Sequence, residues 1–99
     1  MLVHSVYFWL PEGMTQKDRE EFRNGLNALK GIAAVETVYV GSPADTPDRP
    51  VIDRSYDFGL VVVLADHAAH DTYQADPLHQ AFVARFSNVW ERVLIYDVQ

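Results

Sequence analysis

Four apolar segments of the chain have the length and composition of β-strands. The first is predicted at Leu2–Leu10, which is rich in β-branched and aromatic residues and stops at the turn-forming sequence Pro11-Glu12-Gly13. The other strands are predicted at Val35–Val40, Phe58–Leu64 and Arg92–Val98.

The first interval between strands has the 3.6-residue periodicity of an amphipathic helix. Phe22, Leu26 and Leu29 recur on one face of this segment. Thr15 is the expected N-cap and Gly31 the expected stop signal, which gives a helix of about four turns.

The last interval is predicted to hold two consecutive helices. Asp66 is expected to cap a short helix that runs to Ala75. Asp76 then caps a second helix, with Pro77 at its first position. An apolar stripe on this second helix consists of Leu78, Phe82, Phe86 and Val89.

The element order β-α-β-β-α-β predicts an α+β, ferredoxin-like domain over residues 1–99. In that fold a four-stranded antiparallel sheet carries its helices on one face only. The polar segment 42–56, with three prolines, is too long for a simple connection. It is either a lid over a site or a solvated excursion.

The central strands are apolar on both faces, although helices can cover only one. Leu2, His4, Val6 and Phe8 share one face of the first strand, and Val3, Tyr7 and Trp9 share the other. A monomer would place polar residues on the uncovered face. We therefore expect a homodimer in which two sheets close into a shared barrel, with a pocket for a small hydrophobic ligand inside it.

Charge and composition narrow the range of partners. The 99 residues carry a net charge of −6 and no cysteine, which leaves no basic surface for nucleic acid or anionic membranes and no thiol chemistry. No apolar segment is long enough to cross a bilayer. A cytoplasmic protein is expected.

His79 is a candidate general base, because it lies at the third position of the helix that begins at Pro77. The positive end of the helix dipole disfavours imidazolium there, so a pocket-facing His79 would stay neutral near pH 7. The structural alternative is a histidine that hydrogen-bonds a neighbouring carbonyl. Tyr73 is likewise either an acid–base partner or a core residue with its hydroxyl at the edge.

A metal site is not expected from the sequence. His67 and His70 are neighbours at i, i+3 on a predicted helix, but no third ligand has clear spacing. A solvated helix face is the simpler interpretation, and we expect neither metal nor cofactor. Arg49 and Arg54 in the long loop could guide an anionic ligand or simply face water.

The chain resembles the stress-responsive dimeric α/β-barrel (Dabb) family along nearly its whole length. The matching landmarks are His4 with Val6 and Phe8, the segment Tyr56–Val61, the core Tyr73-x-x-Asp76-Pro77-x-His79-x-x-Phe82-Val83, and the closing segment Glu91–Asp97. The resemblance implies a dimeric ferredoxin-like barrel, and most members have no established reaction.

One enzymatic branch of that family includes the plant polyketide cyclase that forms olivetolic acid. By resemblance, Tyr73 and His79 would perform acid–base catalysis, and His4 would line the pocket. Phe58 stands where the cyclase has a further pocket histidine, which argues against the same substrate. Phe58 and Phe82 are both assigned to substrate binding.

Two functions follow as expectations. The first is a homodimer that binds a small apolar or aromatic molecule. The second is a cofactor-independent cyclase or isomerase of β-keto, polyketide-like substrates that uses the Tyr73 and His79 pair. The similarly folded cofactor-free monooxygenases are a third group, but no landmark here favours them.

Overall fold

A computed structural model describes all 99 residues as one antiparallel sheet with helices packed on one side. The elements are β1 (Leu2–Trp9), α1 (Gln16–Ala28) with a 3₁₀ turn (Leu29–Gly31), β2 (Val35–Gly41), β3 (Phe58–Leu64), α2 (His67–Ala75), α3 (Pro77–Phe86) and β4 (Arg92–Val98). The strand order is β2-β3-β1-β4. This is the predicted ferredoxin-like arrangement, and the division of the last helical region into two helices is confirmed.

The three predicted helix starts are formed by side-chain caps. Thr15, Asp66 and Asp76 each accept a hydrogen bond from a backbone N–H group in the following turn, at 3.1, 2.8 and 2.8 Å. Pro77 occupies the first turn of α3. These caps satisfy N–H groups that have no partner within the helix, so short local sequences set where each helix begins.

The helix ends differ from the prediction. The α-helical part of α1 ends at Ala28, and the chain continues through a 3₁₀ turn in which the Ile32 N–H donates to the Leu29 carbonyl. Gly31 does not adopt a positive φ, so it is not a left-handed cap.

The apolar stripe of α3 is also shorter than predicted. The helix ends at Phe86, which leaves Val89 beyond it, and Leu78 is 43% exposed. Only Phe82 and Phe86 of the four stripe residues are buried, because these two lie where the ten-residue helix packs against Phe22 of α1.

The helix-covered face of the sheet, called here the covered face, builds the core. Leu2, Val6 and Phe8 of β1 are buried on it. Phe22 of α1 is fully buried and lies against a ring of aromatic side chains: Phe8, Phe58, Phe82, Phe86 and Trp90. A Cβ on Gly25 would stand 2.4 Å from the Phe86 ring, so this glycine permits the close approach of α1 and α3.

The opposite side of the sheet, called here the open face, has no helix on it. In β1 and β3 it carries Val3, Tyr7, Trp9, Val61 and Val63, all of them half-buried. The register adds Leu94, Tyr96 and Val98 of β4 and Tyr39 of β2. Tyr96 and Val98 are 58% and 62% exposed, so this face presents a continuous apolar surface.

The long loop between β2 and β3 lies beside the open face. Tyr56 packs edge-to-face on Tyr7 with ring centres 4.9 Å apart, and Ser55 accepts a hydrogen bond from the Trp9 indole at 3.1 Å. Arg54 bonds the backbone of Ala44 and the carboxylate of Asp48. Arg54 therefore holds the loop together and is not free to guide a ligand.

The helices are all short, and none is both long and apolar enough to cross a membrane.

Candidate functional site

A cavity of about 210 Å³ lies between the covered face and the helices α2 and α3. Its apolar walls consist of Val6, Phe8, Leu29, Leu60, Phe82, Val83, Trp90, Val93 and Ile95. Polar groups come from His4, Tyr73, Gln74 and His79. An apolar cavity with a few converging polar groups is the usual form of a small-molecule site.

This cavity differs in position from the barrel pocket expected between two sheets, and a separate pocket on the open face is lined by Tyr7, Trp9, Asp53, Tyr56, Leu94 and Tyr96. We expected a ligand pocket inside a barrel formed by two open faces, but this cavity lies on the opposite side of the sheet, within one subunit. The reason is the pleat: His4 shares a face with Leu2, Val6 and Phe8, and the helices cover that face. The loop 42–56 contributes no residue to the lining, so it is not a lid over this cavity.

Tyr73 and His79 meet in the wall of the cavity. Their rings stand edge-to-face with centres 4.8 Å apart. Tyr73 lies in the last turn of α2 and His79 in the first turn of α3, and the break at Asp76-Pro77 turns the two helices so that both side chains point inward. Helical spacing alone could not predict this contact.

His79 is half-buried, and its environment favours the neutral imidazole. Burial lowers the pKa of His79 below 6.5, and the nearby His4 and His70 lower it further. Asp76 and a backbone hydrogen bond at Gln74 oppose these effects without reversing them. Most of the His79 population is therefore unprotonated at pH 7, which is the form that accepts a proton.

Tyr73 has the complementary character. Its side chain is only 1% exposed, and burial raises the pKa of its hydroxyl to about 12. The hydroxyl stays protonated at neutral pH and can donate a hydrogen bond. Tyr73 lines the cavity, so a ligand there would lie next to this side chain.

His4 is held by a partner that the sequence did not reveal. Its ring is buried, and Nδ1 lies 2.6 Å from a carboxylate oxygen of Asp97. The register of β1 and β4 pairs these two residues directly. His70 and Tyr73 pack edge-to-face on the same ring, with centres 5.0 and 6.0 Å away.

The two phenylalanines assigned to substrate binding have different places. Phe82 lines the cavity, whereas Phe58 does not. Phe58 pairs with Phe8 at the far end of β1, and the Arg23 guanidinium lies over its ring at 4.9 Å. The structure therefore brings together His4, Tyr73, His79 and Phe82 and leaves Phe58 in the core beside α1.

Sequence reasoning missed three further residues of the site. Gln74 and Trp90 line the cavity, and Asp97 holds His4. Their local sequences carry no motif for these roles. Only the pairing of β4 with β1 could have identified Asp97, since it places that carboxylate opposite His4.

Together these groups suit proton transfer next to a carbonyl. A neutral imidazole can remove a proton from the carbon, and a protonated phenol can stabilise the oxygen of the resulting enolate. The same groups would also orient a ligand by hydrogen bonds without any reaction.

The sequence matches one family model, that of the stress responsive A/B barrel domain (Dabb), over residues 2–99. No curated protein matches it.

Solved structures show the same fold. A Dabb family protein with a ferredoxin-like fold from Mesorhizobium loti is 28% identical, with a TM-score of 0.79 over 99% of this chain and 94% of the other. A dimeric ferredoxin-like protein of unknown function from Thermobifida fusca is 20% identical, with a TM-score of 0.79 over 98% and 88%. Hydroxynitrile lyase from Passiflora edulis is 16% identical, with a TM-score of 0.79 over 98% and 90%.

Proposed function

This chain belongs to the stress responsive A/B barrel (Dabb) family, and from that premise we propose that it is a homodimer in which each subunit binds a small aromatic molecule. The observation that carries the proposal is the apolar cavity with His4, Tyr73 and His79 in its wall. The cavity belongs to one subunit, so the dimer supports the site without enclosing it.

The open face supports the dimer. Val3, Tyr7, Trp9, Val61 and Val63 form an apolar surface that the chain's own loop covers only at one end. Burying that surface against a second sheet would stabilise the dimer by roughly 25 cal/mol of free energy for each Å² of apolar surface removed from water. The Thermobifida fusca relative is described as dimeric. Sedimentation equilibrium tests the point: a mass of two chains is expected, and an 11.3 kDa species at every concentration contradicts it.

The size of the cavity limits the ligand. An engineered apolar cavity of about 150 Å³ in another protein accepts benzene. At about 210 Å³, this cavity has room for one aromatic ring with a short substituent. A carbonyl or hydroxyl on that substituent would face Tyr73 and His79.

Acetophenone is a suitable probe, because it combines one ring with a carbonyl. We expect it to shift the NMR signals of His79 and Trp90, and to bind more tightly than benzene. The variant Val83→Trp places a large side chain in the wall and should abolish the shifts. Val51→Trp, on the exposed long loop, is the matched control and should leave them unchanged. Equal binding by both variants contradicts the assignment.

The second candidate is a cofactor-independent cyclase or isomerase, and the contact between Tyr73 and His79 specifically favours it. His79 would take a proton from the carbon beside a carbonyl, and Tyr73 would hydrogen-bond the enolate oxygen. The carbon would then attack a second carbonyl of the same substrate, or receive a proton at a new position. One structural neighbour is a lyase, so this fold accommodates catalysis in that protein.

Deuterium exchange at the acetophenone methyl group tests the proton-transfer step without knowledge of the substrate. We expect faster exchange with protein than without, and a loss of about 10²- to 10⁴-fold in His79→Gln and Tyr73→Phe. His67→Gln lies outside the cavity and is the control. Probe binding without accelerated exchange leaves a binding protein and contradicts the enzyme.

A further inference from the structure

Three potential metal ligands converge where β1, α2 and β4 meet. One ring nitrogen each of His4 and His70 and one oxygen of Asp97 lie within 4.8 Å of one another. His4 is buried, His70 is half-buried and Asp97 is exposed. The sequence showed no third ligand near His67 and His70, because the other two ligands lie on strands at opposite ends of the chain.

We propose that His4, His70 and Asp97 form a binding site for a divalent transition-metal ion, with Zn²⁺ the best fit. Two imidazoles and one carboxylate are a recurrent ligand set of such ions in sites that keep a position open. Mg²⁺ and Ca²⁺ prefer oxygen ligands and fit this set poorly. The site shares His4 with the wall of the proposed aromatic-ligand cavity, whereas His70 and Asp97 lie outside that cavity.

The geometry requires only a small adjustment. Metal-to-ligand distances of about 2.0–2.2 Å in a tetrahedron separate the ligand atoms by roughly 3.3 Å. His4 Nδ1 and Asp97 already lie 2.6 Å apart, with a hydrogen bond in the place of the ion. His70 must approach by roughly 1.5 Å, and a half-buried side chain on a short helix has the freedom to do so.

Access and support are also present. An open pocket lined by His67, His70 and Asp97 leads from solvent to the cluster. The Gln74 amide lies 3.4 Å from Nε2 of His70, one turn along α2, where it can orient the ring. The ion would thus lie between this pocket and the inner cavity, with a fourth position left for water.

Titration of the tag-free full chain with Zn²⁺ against a chromophoric chelator tests the site. We expect one ion per chain in the wild type. His70→Gln should weaken Zn²⁺ binding at least about 100-fold. Loss of a residue that only hydrogen-bonds a ligand weakens metal binding by about 10- to 100-fold, and His70 is itself a ligand. Asp97→Asn, which keeps the size of the side chain, should weaken it similarly.

Asp71→Asn is the matched control for Asp97→Asn, since it changes an exposed carboxylate on the same helix as His70 that lies neither in the cluster nor in the access pocket. It should retain the wild-type affinity. Co²⁺ should show the visible absorption of a four- or five-coordinate ion in the wild type and lose it in His70→Gln. Circular dichroism without metal verifies that each variant folds. No stoichiometric Zn²⁺ binding, or an equal loss in Asp71→Asn, would overturn the proposal.

Discussion

The two faces of the sheet have similar apolar composition but different neighbours. On the covered face, Leu2, Val6 and Phe8 are nearly inaccessible because the helices lie on them. On the open face, Val3, Tyr7 and Trp9 stay half-buried because nothing in the chain covers them fully. Strand alternation therefore shows which residues share a face, whereas the connections between strands decide which face becomes core and which remains a surface.

The strongest test of this comparison is a charge in the middle of the open face. Val61→Asp should convert the proposed dimer to an 11.3 kDa monomer, weakening association by about 1,000-fold or more, because an unpaired carboxylate would be buried there twice. Sedimentation equilibrium measures the change. Val51→Asp adds the same charge at a site that is 78% exposed and should leave the dimer intact. Equal masses for the two variants would show that the open face is not the interface.

A pair of leucines on the helices tests the covered side. Leu26→Ala should lower the free energy of unfolding by about 2–5 kcal/mol, because Leu26 is fully buried and its loss leaves a hole in the core. Leu78→Ala, at a leucine that is 43% exposed, should cost less than about 1 kcal/mol. Urea unfolding at one protein concentration measures both values. Similar losses would contradict the assigned burial.

The loop beside the open face gives a smaller effect. Arg54→Ala removes hydrogen bonds to Ala44 and Asp48, and should cost about 1 kcal/mol with faster proteolysis within residues 42–56. Acetophenone binding should not change, since the loop does not line the cavity. Limited proteolysis and NMR titration measure the two properties. A parallel loss of binding would place the loop at the site after all.

The smallest expected effect is the pH dependence that His79 adds to stability. Because the pKa of His79 is lowered in the folded state, the unfolded chain takes up a proton first. Stability should therefore fall as the pH decreases through 6.5 and level off below the folded-state pKa. Thermal unfolding from pH 8 to pH 5 measures this, and His79→Gln should flatten the curve. A wild-type curve that is the flatter of the two contradicts a lowered pKa.

Local signals predicted most of the fold. The sequence predicted the helix caps at Thr15, Asp66 and Asp76 and the alternation along β1, because each of these features depends on a few neighbouring residues. The helix ends were predicted less accurately, since Gly31 lacks the left-handed conformation and Val89 lies beyond α3. Where a short helix ends depends on the core it packs against, and no single residue reports that.

The site was only partly predictable. Tyr73, His79, His4 and Phe82 were named from their sequence positions and the family resemblance, and they do line one cavity. The side of the sheet on which that cavity lies, the exclusion of Phe58 and the contact of Asp97 with His4 all depend on contacts between distant segments. Periodicity says nothing about such contacts.

The strand order has a consequence for how the chain folds. β1, the first strand of the chain, pairs with β3 and β4, and both of these strands lie in the second half of the sequence. Contacts that span most of a chain form slowly. During synthesis, β1 can pair with β3 before β4 has emerged, so its second edge and the cavity wall supplied by Val93 and Ile95 are completed last. A chain that stops before residue 92 would lack both an edge strand of the sheet and one wall of the cavity.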